Sequence, residues 1–255
     1  MYTDHQKLLE NFQLLNLKMI KDYYPKYLES LSKNQKSLTE ILLELTEKEV
    51  EYQAEQKFKR AIKLARFPKV KYLSDFDFTF QPSINKQEIL TLKSMHFLEK
   101  NINICFLGNS GVGKTHLAIS LGVEACKQNI KTRFYTFKEL IELLTTSEEK
   151  GITNKTLKQL NRIELLVIDE IGYTPISKEQ ADLFYQLMSL RYEMKSTIIT
   201  TNIPFSSWGD SFSNKIASAA IIDRLIHHSK IFKITGDSYR LKDYKSEKSL
   251  NIRHS

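Results

Sequence analysis

Eight residues, Gly108-Asn109-Ser110-Gly111-Val112-Gly113-Lys114-Thr115, join an apolar stretch, Asn103-Ile104-Cys105-Phe106-Leu107, to an apolar-rich run from Leu117 to Cys126. Glycines at 108, 111 and 113 let the backbone curl so that successive N–H groups point inward, a surface complementary to an anion. A helix opening near Lys114 adds its positive N-terminal partial charge to the same spot. The spacing is that of the phosphate-binding loop G-x-x-x-x-G-K-[ST], in the strand–turn–helix context which that motif requires. Lys114 is expected to reach the β- and γ-phosphates of a nucleotide, and the Thr115 hydroxyl to ligate Mg²⁺. The chain has only 8 glycines, and three of them fall in this loop, so general glycine richness does not explain the match.

A second constellation lies downstream. Leu165-Leu166-Val167-Ile168 is a run of the kind buried on both faces of a parallel sheet, and it closes in Asp169-Glu170. Acids at the carboxyl end of such a strand stand where ligands bind in open α/β sheets. This is a Walker B pattern: Asp169 is expected to hold Mg²⁺, and Glu170 to polarise an attacking water as general base. Thr197-Ile198-Ile199-Thr200-Thr201-Asn202 repeats the design and delivers Thr201 and Asn202 to the same sheet edge. Asn202 is expected to orient the lytic water or contact the γ-phosphate; capping the turn before Pro204 is the plainer alternative.

Two arginines near the C-terminus stand apart from the general charge. Arg224 interrupts the apolar run Ala219-Ala220-Ile221-Ile222-Asp223-Arg224-Leu225-Ile226, and Arg240 follows Gly236-Asp237-Ser238-Tyr239. An arginine offered to a neighbouring subunit's γ-phosphate can contribute ~10³–10⁵ in rate. An Asp223/Arg224 surface ion pair would contribute ~1 kcal/mol or less. His227 and His228 are sequence neighbours; in a helix they diverge, which makes a poor metal pair and points to a structural or DNA-facing role.

These groups need a scaffold, and 255 residues suffice for one α/β nucleotide-binding domain plus a small extra domain. Hydrophobic content of 41% supports a real core and excludes disorder as the general reading. The net charge of +8 points to a polyanionic partner. Cys105 and Cys126 are the only cysteines and lack metal-ligand spacing, so buried thiols in a reducing compartment are expected. No apolar h-region opens the chain and no run approaches the ~18 apolar residues of a membrane span, so a cytoplasmic protein is expected.

Before the loop, Thr3 or Asp4 caps an expected helix carrying Leu8, Phe12, Leu15 and Met19 on one face, and Pro25 is expected to interrupt it. Ser37-Leu38-Thr39-Glu40 reads as a capping box opening a long helix. That helix turns from acidic to basic: between Gln56 and Lys71 there are Lys57, Lys59, Arg60, Lys63, Arg66, Lys69 and Lys71 and no acid. Lys59, Lys63 and Arg66, at i, i+4 and i+7, share a helical face that can follow a phosphate backbone, although a solvated face is the commoner meaning of a charge run. Pro68 is expected to end the helix. Tyr72 to Phe80 forms an aromatic connector whose rings should pack on the next domain, and Leu90 to Lys100 an amphipathic helix. Strands at Thr132–Thr136 and Ile231–Ile234, and helices from Lys138 and over Lys178–Tyr192, complete an alternating α/β pattern.

The order of these motifs resembles AAA+ ATPases of the initiator and helicase-loader clade. Within it the chain is similar to the IstB-like helper ATPases of insertion-sequence transposition. The resemblance rests on Phe67-Pro68, Asp75-Phe76-Asp77, the P-loop, Ile168-Asp169-Glu170-Ile171-Gly172-Tyr173, Arg191-Tyr192-Glu193, Asn202-Ile203-Pro204-Phe205-Ser206-Ser207-Trp208-Gly209 and Asp223-Arg224-Leu225-Ile226-His227-His228 to Ser238-Tyr239-Arg240. The Pro-Phe-x-x-Trp-Gly stretch is nearer to IstB than to DnaC, and Ser207 departs from an expected acid. The resemblance implies a helical N-terminal DNA- or partner-binding domain at 1–75. It implies a 76–245 AAA+ domain with a central parallel sheet and no full C-terminal lid, and a tail at 246–255. It also implies ATP and Mg²⁺ as cofactors, ATP hydrolysis in a ring or helical oligomer stimulated by DNA, non-specific grip on duplex DNA, and delivery to or stimulation of a transposase. A DnaC-like replicative helicase loader is the alternative. The expected catalytic residues are Lys114, Glu170, Asn202 and Arg224. Nucleotide contacts are Gly108 to Thr115 with His116 and Arg240; metal ligands are Thr115 and Asp169; DNA contacts are Lys57, Lys59, Arg60, Lys63 and Arg66.

Overall fold

The computed structural model describes residues 3–31, 36–213 and 215–239; Arg240 and the 246–255 tail lie outside them. The chain divides into two compact units, Met1–Arg60 and Ala61–Ser255.

In the first unit, Thr3 caps α1 (Asp4–Leu14) in a reciprocal box with Gln6. The next helix, α2 (Lys18–Leu31), carries Pro25 inside it, against the expected interruption. Packing explains the difference. Ile20 and Tyr27, to either side of Pro25, are buried with Leu45 of α3 (Leu38–Ala65), beside Tyr23, Tyr24 and Ile41. That continuous apolar face outweighs one lost backbone hydrogen bond. The buried Glu49 carboxylate accepts from the Met19 and Ile20 amides at 2.7 and 3.1 Å, so α3 supplies the cap at the start of α2. Ser37 and Glu40 form the expected box before α3 (Ser37 amide to Glu40 Oε2, 2.8 Å).

The second unit is built on a five-stranded parallel sheet of order β2-β3-β4-β1-β5. The strands are β1 (Asn103–Gly108), β2 (Thr132–Thr136), β3 (Leu165–Ile171), β4 (Ser196–Thr201) and β5 (Ser229–Ile234). Two short helices, α4 (Lys86–Thr91) and α5 (His96–Glu99), precede β1 where one amphipathic helix was expected. A 3₁₀ turn over Leu92–Ser94 and a left-handed Met95 (φ 60°) break it, and Ile89, Leu92, Met95 and Phe97 are thereby all buried, which one straight helix face would not allow. The remaining helices are α6 (Lys114–Lys127), α7 (Phe137–Glu149), α8 (Thr153–Asn161), α9 (Lys178–Arg191), α10 (Trp208–Ser211) and α11 (Lys215–His227).

Strand alternation sorts the core into two layers. Cys105, Ile168 and Ile199 are register neighbours and pack with Leu140, Leu157, Phe184 and Ile221 from α7, α8, α9 and α11. Ile104, Val167 and Ile198 are the next register row and face the other way, the side covered by the almost wholly buried α6. Cys105 and Cys126 are buried free thiols, and burial pushes them up to about 12 and about 11.

At the amino-terminal end of the strands sits Arg191, 2% exposed. Its guanidinium donates to the carbonyls of Leu160, Ile163, Glu164 and Ser196 and to Thr197 Oγ1, joining the end of α8 to the starts of β3 and β4. Burial pushes its pKa down to about 9, still above neutrality, so the caged group is a cation near pH 7. Arg191→Leu strips donors from several buried carbonyls at ~1–3 kcal/mol each. The expected outcome is a loss of more than ~3 kcal/mol, read as a urea midpoint shifted down by ~1 M or more. A shift under a few tenths of a molar would show the cage to be dispensable.

Candidate nucleotide-binding site

The loop after β1 does what its spacing predicts. Gly113 takes a left-handed φ of 100° ahead of α6, and a Cβ there would stand 2.5 Å from Phe76 Cε2, so conformation and space both demand glycine. Lys114 is buried at the helix start, and its Nζ donates to the Asn109 carbonyl at 2.7 Å. Thr115 Oγ1 donates to Asp169 Oδ1 and Oδ2 at 2.9 and 3.1 Å, which joins the two motifs directly.

Asp169 and Glu170 are adjacent in sequence yet sent to different places. The β3–β4 register shifts between Ile168 and Ile171, and Glu170 takes φ 63°. This irregularity turns the buried Asp169 toward Thr115 and leaves Glu170 exposed in the site. A left-handed glutamate costs about 1 kcal/mol or more, a strain characteristic of functional positions. Thr200 holds the bulge: its Oγ1 donates to Asp169 Oδ1 at 2.6 Å and accepts from the Glu170 amide at 2.9 Å. The sequence reading missed Thr200; the signal was its place one residue before Thr201-Asn202, opposite the Walker B acids. Thr201 itself is structural, its hydroxyl donating to the Ile171 and Ile203 carbonyls.

A cavity of about 280 Å³ opens beside these groups, lined by the loop from Ser110 to Thr115 together with His116, Glu170 and Asn202. Gly108 and Asn109, expected as nucleotide contacts, do not line the cavity; the Asn109 carbonyl accepts from Lys114 Nζ instead. Asn202 Oδ1 is buried without a partner. Phe76, Asp77, Gln81 and Tyr239, from the aromatic connector and the segment after β5, also line it, although none was expected to contact a nucleotide. His116 Nε2 meets the Tyr72 carbonyl at 2.9 Å and its ring stands edge-on to Phe76 at 5.5 Å. Gln81 Nε2 donates to the Asp237 carbonyl at 2.8 Å, and the Tyr239 amide donates to the Gly111 carbonyl at 2.9 Å. The aromatic connector and the segment after β5 are thus stitched to each other and to the loop. For Mg²⁺, the donor set fits: a hydroxyl and a carboxylate already converge, both hard oxygens.

Arg224 does not line this cavity. It lies near the end of α11, its guanidinium over the Tyr185 ring at 4.5 Å and its Nη1 donating to the Ala220 carbonyl at 3.3 Å. Of the basic stretch, Lys57, Lys59, Arg60, Lys63 and Arg66 are all exposed. Arg66 falls past the end of α3 with φ 58°, so it does not share the helical face expected for it with Lys59 and Lys63. Lys59 pairs with Glu55 at 2.6 Å on the surface. The histidine expectation is corrected. α11 ends at His227, so His228 leaves the helix and the two rings approach to 4.3 Å instead of diverging.

A five-stranded parallel sheet in this order, a P-loop after β1 and paired acids near the carboxyl end of β3 define an ATP-binding protein of the AAA+ class. The chain belongs to the family of IstB-like ATP-binding proteins, whose model matches residues 10–247. A protein named as an ATP-binding protein of insertion sequence IS232, from Bacillus thuringiensis subsp. berliner, is 41% identical over 98% of this chain and 100% of its own length. Among solved structures, a DnaC helicase loader is 26% identical over 59% of this chain and 88% of its own, with a TM-score of 0.51. AMPPCP-bound DnaA from Aquifex aeolicus shares the fold at 19% identity over 71% of this chain and 55% of its own, with a TM-score of 0.56. Among the described residues no helix is long and apolar enough to cross a membrane.

Proposed function

We propose that the protein hydrolyses ATP, and that its ATP state governs assembly on duplex DNA, where it recruits or stimulates a transposase. The observation that carries this reading is the convergence on one cavity of Lys114, Thr115, Glu170 and Asn202, with Asp169 behind Thr115. Lys114 neutralises the β/γ-phosphates, Thr115 and Asp169 hold Mg²⁺, and Glu170 takes the proton of a water that Asn202 helps to orient. Mg²⁺, when bound, offsets phosphate charge. His116 steadies the connector wall, and Arg240 is proposed as a further nucleotide contact.

Arg224, remote from its own chain's cavity, acts in a neighbour's, so that turnover requires assembly. The basic stretch of α3, with the helical region up to about residue 75, grips the DNA backbone; residues 76–245 carry the ATPase. The setting is cytoplasmic. The insertion-sequence relative, matched end to end, favours a transposition helper over the helicase-loader reading.

The test is fluorescence anisotropy on unrelated duplexes with ATP, with ADP and without nucleotide. ATP-dependent binding should weaken by ~10³ or more between ~50 and ~200 mM salt. Arg224→Ala should bind ATP without hydrolysing it, and mixing it with Lys114→Ala should restore turnover, since each supplies the half the other lacks. Nucleotide-independent or salt-insensitive DNA binding would overturn the DNA role, and full activity of Arg224→Ala alone would overturn the shared site.

A further inference from the structure

We propose that Glu193, His227 and His228 form a divalent-cation site of the zinc class, separate from the nucleotide cavity. Each offers one ligand atom, and the three atoms lie within 4.8 Å of one another. Two imidazoles and a carboxylate are the donor set of open zinc sites, which keep a fourth position for water or an incoming group. Ligands at ~2.0–2.1 Å from a tetrahedral ion stand about 3.3 Å apart. The three side chains are exposed, so side-chain rotation alone closes the remaining gap.

The backbone under this cluster is fixed from several directions. Glu193 takes φ 55° just after α9, and its carbonyl accepts from Asn101 Nδ2 at 2.8 Å. The His228 carbonyl accepts from the Asn103 amide at 2.7 Å at the start of β1. Arg191, two residues before Glu193, is held in its carbonyl cage. The ligands therefore project from the anchored ends of α9 and α11, at the amino-terminal edge of a parallel sheet whose carboxyl edge holds the phosphate loop.

Around the ligands, the Tyr192 hydroxyl stands 3.0 Å from His227 Nδ1 and can accept a hydrogen bond from an Nδ1–H, the kind of outer contact that fixes an imidazole tautomer. His228 Nε2 and Glu193 Oε1 are already 2.8 Å apart. As a surface ion pair alone this contact is worth ~1 kcal/mol or less. As two ligands of a three-ligand set, it ties α9 to α11 across the sheet edge. Imidazole donors select zinc-like ions over magnesium, so excess Mg²⁺ does not compete.

The test uses the untagged full chain, stripped with a chelator and free of nucleotide, so its outcome does not depend on the ATP reading. Co²⁺ is titrated in excess Mg²⁺ while its visible absorption is followed, and Zn²⁺ is used to displace it. One equivalent of Co²⁺ should bind and be displaced by Zn²⁺. His227→Asn and His228→Asn should each weaken binding by ~10-fold or more, and Tyr192→Phe less than either. Zn²⁺ should raise the unfolding midpoint of the parent and of neither histidine variant. Absence of stoichiometric binding, or binding unchanged in both histidine variants, would overturn the site; the latter would move the ion to other histidines of the chain.

Discussion

Lys114→Ala is expected to abolish ATP binding at concentrations that saturate the parent protein. The ammonium is buried at the start of α6 and donates to the Asn109 carbonyl, so the loop is folded around a cation before any phosphate arrives. A phosphate oxygen accepting from this group makes a charge-assisted bond worth ~1.5–3 kcal/mol, and two such bonds correspond to ~10²–10⁴ in affinity. The alanine variant keeps the glycine turn, the helix dipole and the Thr115–Asp169 contact, so its unfolding midpoint without nucleotide should stay near the parent's. Titration with a fluorescent ATP analogue reads the first effect and thermal unfolding the second. Retention of affinity within ~10-fold would mean that the backbone amides alone hold the phosphates.

The parts of this site legible in the sequence are those fixed by short-range rules. Glycine spacing marks the loop, because only glycine takes the backbone of Gly113 beneath Phe76. An uninterrupted apolar run marks β3, because a central parallel strand is buried on both faces. The parts that escaped depend on tertiary context. Nothing local distinguishes Thr200 from Thr201, yet one bridges Asp169 and the Glu170 amide while the other closes a turn. Phe76, Gln81 and Tyr239 become cavity walls through contacts such as Gln81 to the Asp237 carbonyl, 156 residues away. Helix α8, short and polar on average, carried too few apolar positions to announce itself, though Leu157 and Leu160 bury its inner face. Pro25 and Met95 mislead in opposite directions. A proline sits within a helix whose far side is needed for packing, and a left-handed methionine breaks a helix whose straight course would expose one of its apolar residues.

Glu170→Gln separates binding from chemistry. The amide is nearly isosteric with the carboxylate and no worse at φ 63°, so the bulge, the Thr200 contact and the Asp169–Thr115 pair should survive. What is lost is a group able to accept a proton. A positioned general base contributes ~10²–10⁴ in rate, so single-turnover hydrolysis should fall by that factor while ATP affinity stays within a few-fold of the parent. Because Glu170 is exposed to the cavity and Asp169 is buried against hydroxyls, the neighbouring acid cannot substitute without giving up Thr115. If ATP holds the protein on DNA, the variant should persist there as an ATP-bound complex after the parent has hydrolysed and dissociated, which anisotropy on labelled duplex would follow in time. Hydrolysis at the parental rate would remove Glu170 from the chemistry. Loss of hydrolysis with parental release from DNA would keep the base and break the link between hydrolysis and the grip on DNA.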